Sequence, residues 1–423
     1  MRIYRACAVA LSLAAALLGR AVAQDLRGGE LRINQVTVGS QSGVDVAALP
    51  NGDFVAAWYS RPVPAESTVE IKARRFFADG RAKGGDVFVA RIPRFSFYSG
   101  SPKVAADAAG RFWVVWEEPA ATESGARVFG QRFDAAGRKL GPRLRFKASD
   151  FGQVNPDVAM TPDGRAVVVW ESFTDRFDYE GVRIAEVYFR RLGPDGAFAG
   201  PAVFALSEGE TSRVAMRGDG SFGIASEVYN GEGSFYDIYL SLFEADGRTL
   251  VEPFEITSGS TEIVAQIDPA IAAASDGRMF VAWTDRAGDF IPSGSDSFDR
   301  EGVAGQLIAA DGTPIGDNVK LNRFQKGSQS VPSVAATPRG GFLVGWTSGG
   351  NQDGDAAGIF ARHLAPDGRP LGGEIRMNLA RQGSQAGVAL ALAPNGQGVA
   401  AWVGPDGAGS FDLFARRLAP PER

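Results

Sequence analysis

The chain has 423 residues, of which 44% are hydrophobic and 22% are charged, and its formal net charge is −5. This composition is typical of a soluble globular protein and excludes an intrinsically disordered chain. The acidic balance argues against nucleic acid and anionic membrane surfaces as partners. Cys7 is the single cysteine, so an internal disulfide is excluded and the fold must depend on core burial.

The first 23 residues predict a secretory signal peptide. Two arginines precede an apolar run at residues 6–18, and Ala21-Val22-Ala23 fits the small-x-small pattern of signal peptidase sites. We predict cleavage after Ala23, which leaves residues 24–423 as a single domain, periplasmic or secreted; an uncleaved N-terminal anchor is the alternative. Cleavage removes three of the 44 basic residues and none of the 49 acidic ones, so the net charge becomes −8. We expect no integral membrane segment in the mature chain, because no later stretch approaches ~20 apolar residues.

The remainder is a repeat with intervals of 54 to 63 residues. Six segments end in tryptophan: FVAAW (54–58), FWVVW (112–116), AVVVW (166–170), MFVAW (279–283), FLVGW (342–346) and GVAAW (398–402). A seventh, FGIAS (222–226), has Ser226 in the tryptophan position. Such a period, with several short strands in each unit, predicts an all-β, seven-bladed β-propeller. An open β-solenoid is the alternative.

Each repeat predicts four short antiparallel strands. In the sixth they are residues 331–337, 342–346, 359–365 and 372–378, joined partly by Asp-Gly-type turns that suit hairpins. The second strands are apolar at nearly every position, as expected for strands covered on both faces. The tryptophans therefore belong to the core between blades. The first strands share an alanine at one position, which suits the crowded centre of a ring.

The two ends of the repeat region are complementary. GGELRIN at 28–34 matches GGEIRMN at 372–378, whereas the last repeat ends soon after a third strand at 411–418. We predict that residues 28–34 pair with residues 411–418 and complete the last blade. A ring closed in this way has no large exposed sheet edge.

The repeat of residues 28–418 resembles bacterial secreted propellers with the pattern P-x-V-A…D-G-x-F-V-V-x-W…F-A-x-R…D-G-x-x-x-G-G-E-x-x-x-N. It is more loosely similar to TolB-type and integrin-type FG-GAP propeller repeats. The resemblance implies the propeller fold and an extracytoplasmic binding or scaffold role. It implies no catalytic residues.

Familiar enzyme motifs are mostly absent from the sequence. His363 is the only histidine, so we interpret it as a structural variant of an arginine column (Arg75, Arg132, Arg191 and Arg417). There is no Gly-x-Ser-x-Gly elbow, no phosphate loop, no Cys/His cluster and no sialidase-type Asp box. A glycosidase-type carboxylate pair stays open, because such pairs have no characteristic spacing in sequence.

The loops between second and third strands are acidic and vary most, and the longest spans residues 284–302. We predict a ligand site on the face formed by these loops, centred on repeats five and six. The candidates are Asp285, Asp289, Phe290, Asp296, Phe298, Asp299 and Glu301 in repeat five, with Asp175, Asp178 and Tyr179 in repeat three. Asn351, Asp353 and Asp355 alternate in repeat six and are candidate calcium ligands, with solvated turn acids as the alternative.

Glutamines precede five of the first strands: Gln41, Gln153, Gln266, Gln329 and Gln385. They either fix the crossover between blades or form a polar ring at the mouth of the channel. The function predicted from the sequence is an exported, non-catalytic binding or scaffold module for a protein or polysaccharide ligand. The alternative is a carbohydrate-active enzyme, a glycoside hydrolase or polysaccharide lyase, that uses carboxylates on the same face.

Overall fold

The computed structural model describes residues 26–61, 68–93, 101–119, 125–177, 181, 183–229, 236–257, 265–286 and 301–420. These residues form 28 β-strands and no helix. The strands make seven separate four-stranded antiparallel sheets. None of the described segments is a helix long and apolar enough to span a membrane.

Each sheet is one blade, numbered here in the order of the repeats. Blade 1 contains β2 (Gln41–Ala48), β3 (Phe54–Ser60), β4 (Thr68–Phe76) and β5 (Val87–Pro93). Blade 2 contains β6 (Lys103–Ala106), β7 (Phe112–Pro119), β8 (Ala126–Phe133) and β9 (Lys139–Phe146). Blade 3 contains β10 (Gln153–Met160), β11 (Ala166–Phe177), β12 (Arg183–Leu192) and β13 (Val203–Ser207). Blade 4 contains β14 (Gly209–Met216), β15 (Phe222–Val228), β16 (Asp237–Phe243) and β17 (Thr249–Glu255).

The other three blades complete the ring. Blade 5 contains β18 (Gln266–Ala273), β19 (Met279–Asp285), β20 (Gly302–Ile308) and β21 (Pro314–Lys320). Blade 6 contains β22 (Gln329–Ala336), β23 (Phe342–Ser348), β24 (Gly358–Leu364) and β25 (Pro370–Arg376). Blade 7 contains β26 (Ala386–Leu392), β27 (Gly398–Pro405), β28 (Phe411–Leu418) and β1 (Leu26–Arg32). The first strand of every blade contacts the first strand of the next, and β26 contacts β2, so the ring is closed.

The predicted closure is confirmed. β1 pairs antiparallel with β28, with Leu26 opposite Leu418 and Arg32 opposite Phe414. Asn34 follows the strand and is 2% exposed; its Oδ1 accepts a hydrogen bond from the Leu413 amide at 2.9 Å. The open-solenoid alternative is therefore wrong, because the two ends of the chain share one sheet.

The tryptophans are core residues, as predicted. All seven are at most 2% exposed, and the buried clusters join side chains from neighbouring blades. Blade 4 has the exception, Ser226, which is also buried and shares a hydrogen bond with the Ser212 hydroxyl at 2.8 Å. A polar pair thus replaces the indole there and satisfies both hydroxyls.

Arginines of the third strands form hydrogen bonds between neighbouring blades on one face of the ring. We call this the turn face, because it carries the tight hairpin turns. Arg132 donates to the Pro194 carbonyl in the turn of the next blade, and Arg191 donates in the same way to Ala245. His363 occupies this column in blade 6, and the next blade has no such turn because its outer strand is β1. Burial lowers the pKa of His363 to about 4, which keeps it neutral and supports a structural role.

The turn glycine that meets an arginine of this column is expected to tolerate substitution poorly. Gly196 has φ +87°, and a Cβ added to it would lie 2.8 Å from Arg132 Nη1. Gly141 also has positive φ, +67°, but a Cβ there meets nothing within 4 Å. We expect Gly141→Ala to cost about 1 kcal/mol through backbone strain, and Gly196→Ala to cost about 1–2 kcal/mol more because Arg132 must move. Urea unfolding of both variants measures the difference, and equal losses would contradict the packing role of Arg132.

Candidate ligand site on the loop face

The loops after each second strand and the connections into each first strand emerge on one side of the ring, which we call the loop face. The first strands line a central channel with a cavity volume of about 590 Å³. Its lining includes Asp45, Lys103, Asp157, Arg213 and Asp268. Charged side chains in a concave space make the channel and its mouth the natural place to look for a site.

A bulge disrupts the first strand near the loop face in six blades. The residues with positive φ at these bulges are Gly43, Asn155, Thr211, Asp268, Val331 and Gly387. The backbone N–H groups of these bulges donate hydrogen bonds to side chains of the preceding blade. The accepting residue is the one that directly follows the tryptophan position. Thr284 Oγ1 accepts from Val331 at 3.0 Å, and Thr347 Oγ1 accepts from Gly387 at 3.1 Å. The contact holds each blade to the next at the channel mouth.

Glutamates take this position in three consecutive blades. Glu117, Glu171 and Glu227 are 3%, 2% and 6% exposed. The Asn155 amide donates to Glu117 Oε2 at 3.1 Å, and Asn155 Nδ2 donates to Glu171 Oε2 at 2.8 Å. The Asp268 amide donates to Glu227 at 2.6 Å. Burial raises the pKa of Glu171 to about 8 and that of Glu227 to about 7.

These glutamates were missed by the sequence interpretation, although glutamate directly follows tryptophan at 116–117 and 170–171. A buried carboxyl with a raised pKa is the usual form of a general acid. Here, however, the three side chains hold the bulges as the threonine hydroxyls of blades 5 and 6 do, and none of them lines the channel. Their arrangement is therefore that of structural acceptors beneath the loop face.

The middle hairpin of blade 3 extends beyond the others. β11 and β12 have 12 and 10 residues, against seven to nine in the middle strands of the other blades. The Arg183 guanidinium lies 4.6 Å from the ring centre of Phe151 and 4.6 Å from that of Phe177. Phe177 is 54% exposed, so this cation–aromatic stack presents an apolar surface to solvent.

The predicted candidates of blade 3 fall on this hairpin. Asp175 is exposed on β11, two residues before Phe177. Asp178 and Tyr179 lie outside the described residues and stay predictions.

The predicted site of blade 5 is described only at its base. Asp285 pairs with Gly302 at the ends of β19 and β20, and Glu301 accepts a hydrogen bond from Arg286 Nε at 3.2 Å. Asp285 and Glu301 are therefore brought together where the insertion leaves the blade. The remaining candidates lie outside the described residues and stay predictions: Asp289, Phe290, Asp296, Phe298 and Asp299.

The candidate calcium ligands belong to an internally bonded turn. Asp353 is 4% exposed and its Oδ2 accepts from Asn378 Nδ2 at 2.8 Å, whereas Asp355 Oδ2 accepts from the Gly383 amide at 2.9 Å. Asn351 is exposed with φ +62°. Hydrogen bonds from the Gly383 and Ala356 amides lower the pKa of Asp355. Within the described residues no group of three or more His, Cys, Asp and Glu side chains could hold a metal ion, and calcium binding stays a prediction.

The glutamines before the first strands fix the crossovers, one of the two interpretations of the sequence. Gln385 Nε2 donates to the carbonyls of Gln382 and Gly383 at 3.1 Å, and its Oε1 accepts from Asn378 at 2.9 Å. Gln329 makes the same set with Lys326, Gly327 and Asn322. Both side chains are fully occupied below the surface, so they are not a polar ring open to ligand.

No protein-family profile matches the chain, and no curated protein is significantly similar to it in sequence. Solved structures share its fold. A protein of unknown function from Dyadobacter fermentans has a TM-score of 0.55 at 10% identity, with 95% of this chain and 99% of that chain covered. The polysaccharide lyase Uly1 has a TM-score of 0.54 at 10% identity, with 95% of each chain covered. An α-L-arabinanase from Penicillium chrysogenum, solved with arabinobiose, has a TM-score of 0.51 at 13% identity, with 93% of this chain and 99% of that chain covered. At such identities the likeness shows the fold alone.

Proposed function

We propose that the protein is a non-catalytic binding propeller that binds a polysaccharide on its loop face. The observation that carries the proposal is the stack of Phe151, Arg183 and Phe177 on the extended hairpin of blade 3. An exposed aromatic ring can cover the apolar face of a sugar, and the guanidinium can donate hydrogen bonds to its hydroxyls. Tyr229 and Tyr236, whose rings lie 5.5 Å apart, extend the aromatic surface to the neighbouring blade 4.

The hydrogen bonds and the low exposure of the buried glutamate carboxyls support binding without catalysis. Glu171 and Glu227 already accept hydrogen bonds from the next blade and have almost no exposure. A general acid or nucleophile must reach within about 3 Å of the reacting atom of a substrate. These side chains would have to leave the bulges that they hold in order to do so.

The second candidate is a carbohydrate-active enzyme. It is favoured by one observation, the raised pKa of Glu171 (about 8) and of Glu227 (about 7), since a proton-donating carboxyl at neutral pH is what glycoside cleavage uses. The lyase and arabinanase of similar fold are compatible with this candidate, but at 10% and 13% identity they do not argue for it.

Affinity electrophoresis through gels that contain a panel of soluble polysaccharides tests the proposal. We expect wild-type protein to be retarded by at least one polysaccharide, and Phe177→Ala and Arg183→Met each to weaken that retardation about tenfold, a loss of ~1.4 kcal/mol. Phe88→Ala is the matched control, because Phe88 is 49% exposed but lies on the outer strand of blade 1. Retention of affinity in both loop-face variants, or capture of proteins only, would contradict the proposal.

Product analysis of the bound polysaccharide separates the two candidates. Unchanged chain length after prolonged incubation supports the binding module. Shortened chains whose formation is lost in Glu171→Gln would establish the enzyme instead.

We also propose that the chain is exported as a member of the secreted propeller class that its repeat resembles. The support is the apolar run at residues 6–18 followed by Ala21-Val22-Ala23. Mass spectrometry of the protein from its native source is expected to show Gln24 as the first residue. An intact Met1 on a cytosolic product would contradict export.

A further inference from the structure

Over the residues that the structure describes, the wall of the channel carries charged side chains from blades 1–5 and none from blades 6 and 7. The pattern is seen at the residue two positions before the shared alanine of each first strand. This residue is Asp45, Lys103, Asp157 and Arg213 in blades 1–4, and Ala270, Ser333 and Ala389 in blades 5–7. Signs alternate at this position in blades 1–4, and the position is small and uncharged in blades 5–7; Asp268 of blade 5, two residues before Ala270, also lines the channel. All seven residues line the channel, so a ligand that enters meets the two cations on the side of blades 2–4 and an uncharged wall on the side of blades 6 and 7.

The carboxylates of this ring are engaged by the protein itself. Asp45 Oδ2 accepts from the Val104 amide of the next blade at 2.8 Å. Asp157 accepts from the Val214 amide of the next blade at 2.9 Å with one oxygen, and from the Val158 amide at 2.9 Å with the other. The bonds from Val104 and Val214 join neighbouring blades, and all three bonds hold the short side chains at the channel wall.

The cations of the ring have unused donors. Among the described residues, the Arg213 side chain makes one hydrogen bond, from Nη1 to the carbonyl of the adjacent Ser212 at 2.9 Å. The Lys103 side chain makes neither a hydrogen bond nor an ion pair within the described part of the chain, and its charge acts on Asp45 of the preceding blade. Both side chains are longer than aspartate, and both line the channel. Burial raises the pKa of the nearby carboxyls, Glu171 to about 8 and Glu227 to about 7, which lowers the negative charge that they place beside Arg213 at neutral pH.

We propose that the central channel binds a carboxylate-bearing ligand through Lys103 and Arg213. The guanidinium of Arg213 offers paired donors that match a carboxylate, and the Lys103 ammonium supplies a second cation from blade 2. The uncharged wall of blades 6 and 7, around Ser333 and Ala389, accommodates the rest of the ligand without a desolvation cost for charged groups. The carboxylate belongs either to a uronate of a polysaccharide that enters the channel or to a free small organic acid. The first source rests on the proposed function, whereas the second is independent of it.

Isothermal titration calorimetry with four probes tests the inference: oligogalacturonate, its methyl ester, monomeric galacturonate and succinate. We expect oligogalacturonate to bind, the uncharged ester to bind at least tenfold more weakly, and Lys103→Met and Arg213→Met each to weaken binding about tenfold. Arg339→Met is the control, because Arg339 is exposed in the turn between β22 and β23 on the turn face. Circular dichroism melting of each variant establishes that the fold is kept.

The pattern of results assigns the source and separates this inference from the proposed function. Binding by the oligomer alone identifies a polysaccharide uronate, whereas binding by galacturonate or succinate as well identifies a free acid. Equal affinity for acid and ester, no binding of any carboxylate probe, or full affinity in folded Lys103→Met and Arg213→Met would overturn the inference. Failure of the proposed function would appear differently, as unchanged polysaccharide affinity in Phe177→Ala and Arg183→Met.

Discussion

Removal of residues 26–34 is expected to lower the melting temperature by about 10 °C or more. The deletion removes β1 from blade 7 and exposes the edge of β28, which leaves its backbone groups unpaired. It also removes Ile33, which is fully buried, and the bonds of Asn34 to Leu413 and Asp412. Loss of one buried aliphatic side chain and several hydrogen bonds costs about 5 kcal/mol, and each kcal/mol corresponds to roughly 2 °C in a large domain.

Point variants give the matched comparison for the deletion. Asn34→Ala leaves the Leu413 amide without its acceptor in a buried site, so we expect a loss of about 1–3 kcal/mol. Val38→Ala, four residues later and 62% exposed, is expected to leave stability unchanged. Differential scanning calorimetry measures all three proteins. A deletion variant that melts with the wild type would contradict closure of the ring by the N-terminal strand.

Replacement of Glu171 by glutamine is expected to flatten the dependence of stability on pH between about 5 and 8. Burial raises the pKa of Glu171 from 4.5 to about 8, so the folded protein holds a proton there that the unfolded chain releases above pH 4.5. The free energy of unfolding therefore falls as pH rises through this window, by about 1.4 kcal/mol per pH unit from this group. A glutamine does not ionise and removes this slope.

Urea unfolding at half-unit pH steps measures the effect. Glu252→Gln is the control, because Glu252 is exposed on β17, the outer strand of blade 4. We expect the control to follow the wild-type slope. A wild-type slope retained in Glu171→Gln would show that the carboxyl is already ionised in the folded protein at neutral pH, against the role of a buried protonated acceptor.

The ring was predictable because its signals are local and repeated. The buried tryptophans, the Asp-Gly turns and the match of 28–34 with 372–378 each follow from a short string of sequence. The bulges were not predictable, since residues such as Val331 and Asp268 carry no sequence sign of positive φ. When the bulges are not known, the glutamates that follow the tryptophans are interpreted from the sequence as the first residues of exposed loops.

The channel ring shows a second limit of sequence interpretation. Asp45, Lys103, Asp157 and Arg213 are more than 50 residues apart along the chain, and their alternation becomes apparent only when the first strands stand side by side. The sequence instead predicted a ligand site at the long acidic loops of blades 5 and 6. The described polar and aromatic groups concentrate over blades 2–4, whereas most of the candidates in blade 5 fall outside the described residues.

Hydrogen–deuterium exchange with and without a bound polysaccharide tests the central claim, that the loop face is the binding surface, most directly. We predict slower exchange in the β11–β12 hairpin around Phe177 and Arg183, and at the bulge of Asn155 next to the channel mouth. The turn around Gly196 on the turn face and the outer strand β9 around Gly141 should exchange at the same rate in both states. Protection confined to the turn face, or to the outer strands such as β5, would contradict the account.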